Sequence, residues 1–391
     1  MKAANWLGDV VMSQPALTAL RKAFPEAYLA VLVRREIASI LGGCGWINEV
    51  IPYSLGKGIR GLADRLRAVR RIREGRFDAC VLFPNSFDSA LWAMLARVPI
   101  RIGYIRDARG TLLTHGVKPS ASIMQAHQSW YYLEMLRESL GVPVPPPAVR
   151  RELPEGARFL PGGGWGDGSI DLPHVELPVG GREVAEMRAF LGGVRKRPGT
   201  PLVALAPGAA YGPAKRWPAA RYAELAGAIW EEMGGEAVIV GAPSELAQAE
   251  EVRSLCRQPC IQAAGRTSAG ELAALLSLCD GFVGNDSGAM HVAGAVGIPT
   301  VGIFGSTRCD RTAPLGPKVS LIYRRTECSP CMDRECRFGH CECLTRIEAA
   351  EVLKALKSLM AAGRDAEAGQ GSCGGRTNEG SGRCGPGRSQ A

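Results

Sequence analysis

Short apolar runs rich in Val, Ile and Leu alternate along the chain with longer stretches whose apolar residues recur every three or four positions. The runs "YLAVLV" (28–33), "ACVLF" (79–83), "LVALA" (202–206), "AVIVG" (237–241), "GFVG" (281–284) and "TVGIF" (300–304) predict buried strands. Helical patterns fall between them. In 59–75, Ile59, Leu62, Ala63, Leu66, Val69 and Ile72 make one stripe, with arginines around it. Strands that alternate with helices pair in parallel, in sheets covered on both faces.

The alternation breaks at "GVPVPPPAVRRELP" (141–154), where proline forbids regular structure and stiffens a linker. The Gly-rich 155–174 that follows reads as an exposed insertion, and a second α/β unit starts near Pro201. From Gly363 the chain is Gly, Ser and Arg without periodicity, the composition of disorder. The expected organisation is an N-terminal unit (1–145), a linker with its insertion (146–200), a C-terminal unit (201–362) and a tail (363–391). The opening "MKAANWLGDVVMSQPALTALRKAFP" passes from a loop straight into a helix, with no buried strand before "NWLGD". The favoured explanation is a start codon placed downstream of the true one.

A chain of 391 residues is long enough for two cores. Its 46% apolar and 22% charged residues are ordinary for a soluble protein, no run approaches a membrane span, and no signal peptide opens it. A cytoplasmic protein is expected. The net charge of +9 suits an anionic partner, or simply a basic surface. Of 13 cysteines, five fall between Cys328 and Cys343.

Three stretches carry candidate chemistry. In "NWLGDVVM", Gly8 permits a tight turn and Asp9 sits where a helix begins, either as a first-turn acid or as a catalytic carboxylate. In "LAPGAAYGPAKRWP", Lys215 and Arg216 follow a strand's end, a placement that suits a diphosphate. In "FVGNDSGAMHVAG", the turn through Asp286, Ser287 and Gly288 opens a helix whose N–H groups can cradle an anion. His291 lies one turn further on, and Gly305, Ser306 and Thr307 end the next strand. Asp286 reads equally as a helix cap, and His291 as a satisfied core histidine. Cys328, Cys331, Cys336 and Cys343 have spacings compatible with a structural zinc, or with reduced thiols or a local disulfide. The arginine-rich helix at 59–75 is either a solvated face or a surface for anionic lipid. No G-x-G-x-x-G follows an early strand, which argues against a dinucleotide oxidoreductase. No nucleic-acid partner is expected, since the basic residues lack both a module and stacking aromatics.

Five motifs in order, "NWLGDVVMSQPAL", "LFPNSFDSALWAMLARVPIRIGY", "PGAAYGPAKRWP", "GNDSGAMHVAGAVGIPTVGIFGST" and "CSPCMDREC", resemble the ADP-heptose:lipopolysaccharide heptosyltransferases of glycosyltransferase family 9. The resemblance runs to about residue 360 and is closest to the heptosyltransferase II branch. It implies a GT-B fold, with two Rossmann-like α/β/α domains facing a central cleft and the nucleotide sugar held by the C-terminal one. It implies inverting transfer of heptose from ADP-L-glycero-D-manno-heptose to the first heptose of the lipopolysaccharide inner core. The acceptor would be met at the inner face of the inner membrane, and no cofactor is implied. Residue by residue, Asp9 becomes the general base and Lys215 the phosphate-contacting lysine. Asp286, Ser287 and Gly288 become donor contacts, with Arg216, His291, Gly305, Ser306 and Thr307 around them. Heptosyltransferase I or III, another GT-B donor or acceptor, and a non-catalytic nucleotide-sugar-binding protein stay open. Residues 155–174 and the tail lie outside the family pattern.

Overall fold

A computed structural model describes residues 1–56, 58–144, 159–160, 164–165, 173 and 175–371. In the N-terminal half the strands are β1 (Ala30–Arg34), β2 (Glu49–Tyr53), β3 (Ala79–Val81), β4 (Ile100–Tyr104) and β5 (His115–Val117). Around them pack α1 (Leu7–Met12), α2 (Gln14–Ala23), α3 (Gly58–Glu74), α4 (Phe87–Leu95) and α5 (Gln128–Leu140). A two-residue hairpin, β6 (Phe159–Leu160) with β7 (Gly164–Trp165), is the part of the Gly-rich stretch that is described. The C-terminal half contributes α6 (Gly181–Val194), β8 (Leu202–Ala206), α7 (Ala219–Glu232), β9 (Glu236–Ile239), α8 (Leu246–Leu255), β10 (Cys260–Gln262) and α9 (Ala269–Ser277). It closes with β11 (Gly281–Asn285), α10 (Gly288–Val296), β12 (Thr300–Phe304), α11 (Cys309–Thr312), β13 (Val319–Tyr323), α12 (Glu342–Thr345) and α13 (Ala349–Gly371).

The C-terminal sheet is wholly parallel, in the order β10-β9-β8-β11-β12-β13. Counted from its first strand, this is the doubly wound 3-2-1-4-5-6 arrangement, whose strand order reverses between β8 and β11. Both strands are buried along their whole length, because helices cover both faces.

The N-terminal sheet has the same plan, and here the expectation of a missing strand is corrected. Lys2 bridges in parallel to Leu32 on one side and Leu82 on the other. The Lys2 N–H donates to Val81 O (2.8 Å), Ala3 N–H to Leu32 O (2.9 Å) and Leu32 N–H to Met1 O (2.8 Å). Residues 1–3 therefore fill the central strand position, joining β2-β1 to β3-β4-β5. They are too short to register as an apolar run. Asp9 follows at the carboxyl edge, beside this sheet's own reversal point.

Most predicted strands lie within two residues of their expected bounds. The stripe predicted for 59–75 is only half buried: Val69 and Ile72 enter the core, whereas Ile59, Leu62 and Leu66 face outward. Residues 181–194, allotted to the linker, form α6, which packs on α9. Helix α13 continues through Gly371 into the stretch expected to lack regular structure, and residues 372–391 lie outside the described residues. So does most of the Gly-rich 155–174.

One hydrophobic cluster runs from Ala3 in the first half to Leu321 in the second. Polar ties reinforce it: His127 Nε2 lies 2.8 Å from Ala313 O, and Gly270 N–H donates to Ser39 Oγ at 3.0 Å. The two carboxyl edges meet at α1 and α10.

Candidate active site

The loop leaving the central strand is anchored by Asn5, whose Oδ1 accepts from Tyr53 Oη (3.0 Å) and Lys2 Nζ (3.3 Å). Helix α1 then begins without a side-chain cap, so Asp9 in its first turn complements the exposed N–H groups. The carboxylate is half-buried, and its Oδ1 accepts from Tyr132 Oη at 3.3 Å. Tyr132 comes from α5, and its ring packs 4.7 Å from that of Phe83. Burial pushes the Asp9 carboxyl up to about 6; the Tyr132 bond opposes this, the Asp286 charge adds to it and Lys215 opposes it. Asp9 is thus poised to gain and lose a proton near neutral pH.

Across the junction, Asn285 at the end of β11 is wholly buried and organises the loop after β8. It accepts from Trp217 N–H and Tyr222 Oη, both at 3.0 Å, and donates through Nδ2 to Pro207 O at 2.8 Å. This fixes the loop on which a short turn, Pro213–Lys215, carries the lysine. Lys215 Nζ donates to Asp286 Oδ2 at 2.6 Å, and Thr307 Oγ1 donates to the same oxygen at 2.7 Å. His291 Nε2 stands 4.0 Å from the other carboxylate oxygen. Burial drives the imidazole down to about 4, the Asp286 charge pulling the other way, so it is neutral and offers a hydrogen bond rather than a charge.

Helix α10 starts at Gly288 with Ser287 as an extended N-cap whose hydroxyl makes no capping bond. Ser287 Oγ, Ser306 Oγ and His291 Nδ1 are buried with no hydrogen-bond partner among the described residues. Buried hydroxyls seldom go unpaired, and three unpaired groups around one turn leave capacity for a polar ligand. The two halves touch tightly here. A Cβ on Gly8 would stand 2.6 Å from His291 Cδ2, and one on Gly288 would stand 3.0 Å from Leu7 Cβ. A side chain at Gly8 would force a shift, and one at Gly288 would press tightly on Leu7.

Lys215, Asp286, Ser287, Gly288, His291, Ser306 and Thr307 are therefore brought together, with Asp9 facing them on the neighbouring helix. Arg216 is not. Its Nη1 lies 3.2 Å from the Gln248 side-chain amide on α8, and its Nε is buried without a partner. Gly305 turns toward Leu344 and Cys343 rather than into the site.

The Cys-rich loop packs against this cluster through its backbone. Met332 N–H donates to Ser306 O (2.8 Å), Tyr211 Oη to Met332 O (2.7 Å) and Ala214 N–H to Arg334 O (3.0 Å). Among the described residues no three His, Cys, Asp or Glu side chains gather into a metal-holding group. The structure thus does not assemble Cys328, Cys331, Cys336 and Cys343 into the cage that zinc requires, and Cys343 is buried beneath Gly305.

Tyr132 and Asn285 are the contributors that sequence reasoning missed. Tyr132 is 123 residues from its partner, and nothing in "SWYYLEM" marks which ring faces the cleft. Asn285 stands at the start of the quoted turn, but nothing in the sequence marks it as the anchor of a loop some 70 residues upstream.

A family model for glycosyltransferase family 9 (heptosyltransferase) matches residues 65–342. The chain is 28% identical to lipopolysaccharide heptosyltransferase 2 of Salmonella typhimurium, over 91% of this chain and 96% of that protein. It is 31% identical to lipooligosaccharide heptosyltransferase 2 of a Campylobacter jejuni strain, with the same coverage. The solved structure of E. coli ADP-heptose lps heptosyltransferase II superposes with a TM-score of 0.73 at 26% identity, covering 93% of this chain and 98% of that one. The two doubly wound halves are the GT-B architecture, and the chain belongs to glycosyltransferase family 9, the heptosyltransferases.

Proposed function

We propose that the protein transfers heptose from ADP-heptose to the first heptose of a lipopolysaccharide inner core, with inversion at the transferred carbon. The observation that carries this reading is Asp9: a carboxylate raised to about 6, oriented by Tyr132 and facing the Lys215–Asp286 pair across the junction. Asp9 takes the proton from an acceptor hydroxyl, and that oxygen forms the new bond to the anomeric carbon. The bond from this carbon to the diphosphate breaks as the other forms, and ADP leaves with the electron pair. Lys215 and the α10 N-terminus oppose the charge that develops on the departing phosphate. Asp286 and Thr307 hold the Lys215 ammonium in place, and the free hydroxyls of Ser287 and Ser306 complete the donor contacts. No step in this scheme calls for a metal.

The acceptor is lipid-anchored, so the enzyme works at the inner face of the inner membrane. Among the described residues no helix is long and apolar enough to cross a membrane, and a peripheral association fits this. The test is to incubate the purified chain with ADP-heptose and an acceptor carrying one heptose, and to weigh the product. A gain of one heptose is expected, and its absence overturns the reading. Asp9→Asn should abolish transfer while ADP still binds; retained turnover would place the base elsewhere.

A further inference from the structure

The transfer chemistry leaves one surface feature unused. Ile59 is 89% exposed, and Leu62 and Leu66 are each 58% exposed, all three on the outward face of α3. Their spacing of three and four residues puts them in one line, which continues into Arg70 and Arg73 on the last turns. The helix carries six arginines against two acids. A partly apolar, strongly basic outer face on a helix whose inner face is already in the core describes an interfacial helix.

Its position is informative. In a parallel sheet every helix starts at the carboxyl edge, so the exposed apolar end of α3, just after β2, lies on the same edge as Asp9. Trp6 (61% exposed), Phe87 (46%) and Ile105 (41%) follow the ends of the central strand, β3 and β4 on that edge. Hydrogen bonds link neighbouring elements along this edge. Tyr53 Oη donates to Asn5 Oδ1 at 3.0 Å beside Trp6, and Arg65 Nε donates to Asp88 Oδ2 at 2.9 Å beside Phe87.

We propose that this face seats the enzyme on a bilayer surface containing anionic phospholipid. Ile59, Leu62 and Leu66 enter the headgroup boundary, and Arg67, Arg70 and Arg73 meet lipid phosphates. Arg67 and Arg70 pair with Asp64 and Glu74 along the helix and Arg73 donates to Leu95 O, but the Arg67 and Arg70 side chains are 74% and 82% exposed, and single surface contacts of this kind are weak enough for the guanidinium groups to turn to phosphate. Charge selects this occupant over a second copy of the chain, since a symmetric contact would oppose one basic helix to another. The proposal deepens the functional reading above: an edge resting on lipid brings the mouth of the cleft to a membrane-anchored sugar.

The test uses the full chain and vesicles of phosphatidylcholine, alone or mixed with phosphatidylglycerol. Co-sedimentation with the mixed vesicles only is expected. Combining Arg67→Gln, Arg70→Gln and Arg73→Gln should weaken that binding on the order of 100-fold, at roughly fivefold per basic residue. Combining Ile59→Asn, Leu62→Asn and Leu66→Asn should also release the protein, with its circular dichroism and Tm retained because these side chains face solvent. Both variants should keep the parent rate on an acceptor oligosaccharide stripped of acyl chains. Wild type that ignores the mixed vesicles, or variants that bind them as wild type does, overturns the proposal. A dimer that the apolar variant converts to monomer overturns it in favour of a second copy. Vesicle binding without heptose transfer supports the docking face and rejects the transferase reading instead.

Discussion

An aspartate in a helix's first turn usually gains from the exposed N–H groups there, yet Asp9 is held high. Burial outweighs the Tyr132 bond and the Lys215 charge. The carboxylate form is therefore the strained one in the fold, and it is the form a general base needs. Two outcomes follow. The acidic limb of kcat/KM should lie near pH 6, and Tyr132→Phe, which removes a bond that favours the charged form, should move that limb to higher pH. A purely structural role for Tyr132 would lower Tm and leave the limb where it is. For stability the sign is opposite to a salt-bridged acid: the folded carboxyl titrates above its unfolded value, so stability declines as pH rises from about 4 through about 6. Asp9→Asn escapes that decline. Its Tm should exceed that of wild type at pH 8, and the gap should close as pH falls toward 4. Asp9 itself was legible as a first-turn acid, whereas the burial that gives it a base's pKa depends on α5 and α10, far along the chain.

At the level of elements, the fully buried strands announced themselves. "LVALA" and "TVGIF" are uninterrupted apolar runs because both faces of β8 and β12 are covered. The strands that went unread have no such run. β2 ("EVIPY") includes a proline and a half-exposed start, β4 ("IRIGY") carries an arginine, and β10 is three residues at a sheet edge. The helical stripe in 59–75 was visible, but periodicity alone does not say which half of it meets the core. The turn after β11 was legible as a helix start from its Gly and Ser, while the tie that Asn285 makes from it to the β8 loop was not. Asn285→Ala would strand Trp217 N–H and Pro207 O, while Tyr222 Oη keeps its bond to Ala206 O, a loss of roughly 3 kcal/mol. The loop bearing Lys215 would then be free to move. A lower Tm together with a raised KM for the donor, and a smaller change in acceptor KM, is the expected pattern. Equal effects on both substrates would show that Asn285 serves the core alone.

Two doubly wound sheets suggest two folding units, yet the apolar cluster that begins at Ala3 continues without a break to Leu321. His127 and Ser39 reach across the boundary. Parts so joined should unfold together, giving one calorimetric transition whose van't Hoff and calorimetric enthalpies agree; two resolved transitions would show that the halves are independent. On the proposed mechanism the same contact also governs activity, because α1 and α10 bring Asp9 and Asp286 together through glycine contacts. In Gly8→Ala the new methyl would lie 2.6 Å from His291 Cδ2, too close for any carbon pair, so the halves must part or the imidazole must turn. Overpacking of this kind costs about 1–3 kcal/mol, and a cleft that is wedged open also loses transfer. Shortening the obstacle separates the two effects. Gly8→Ala with His291→Ala should recover much of the lost Tm, a coupling that independent sites do not show. It should recover less of the lost rate if the α10 turn holds the donor as proposed, because that turn has given up its neutral imidazole. A double variant no more stable than the sum of its parts would mean that the halves do not close on each other through this pair.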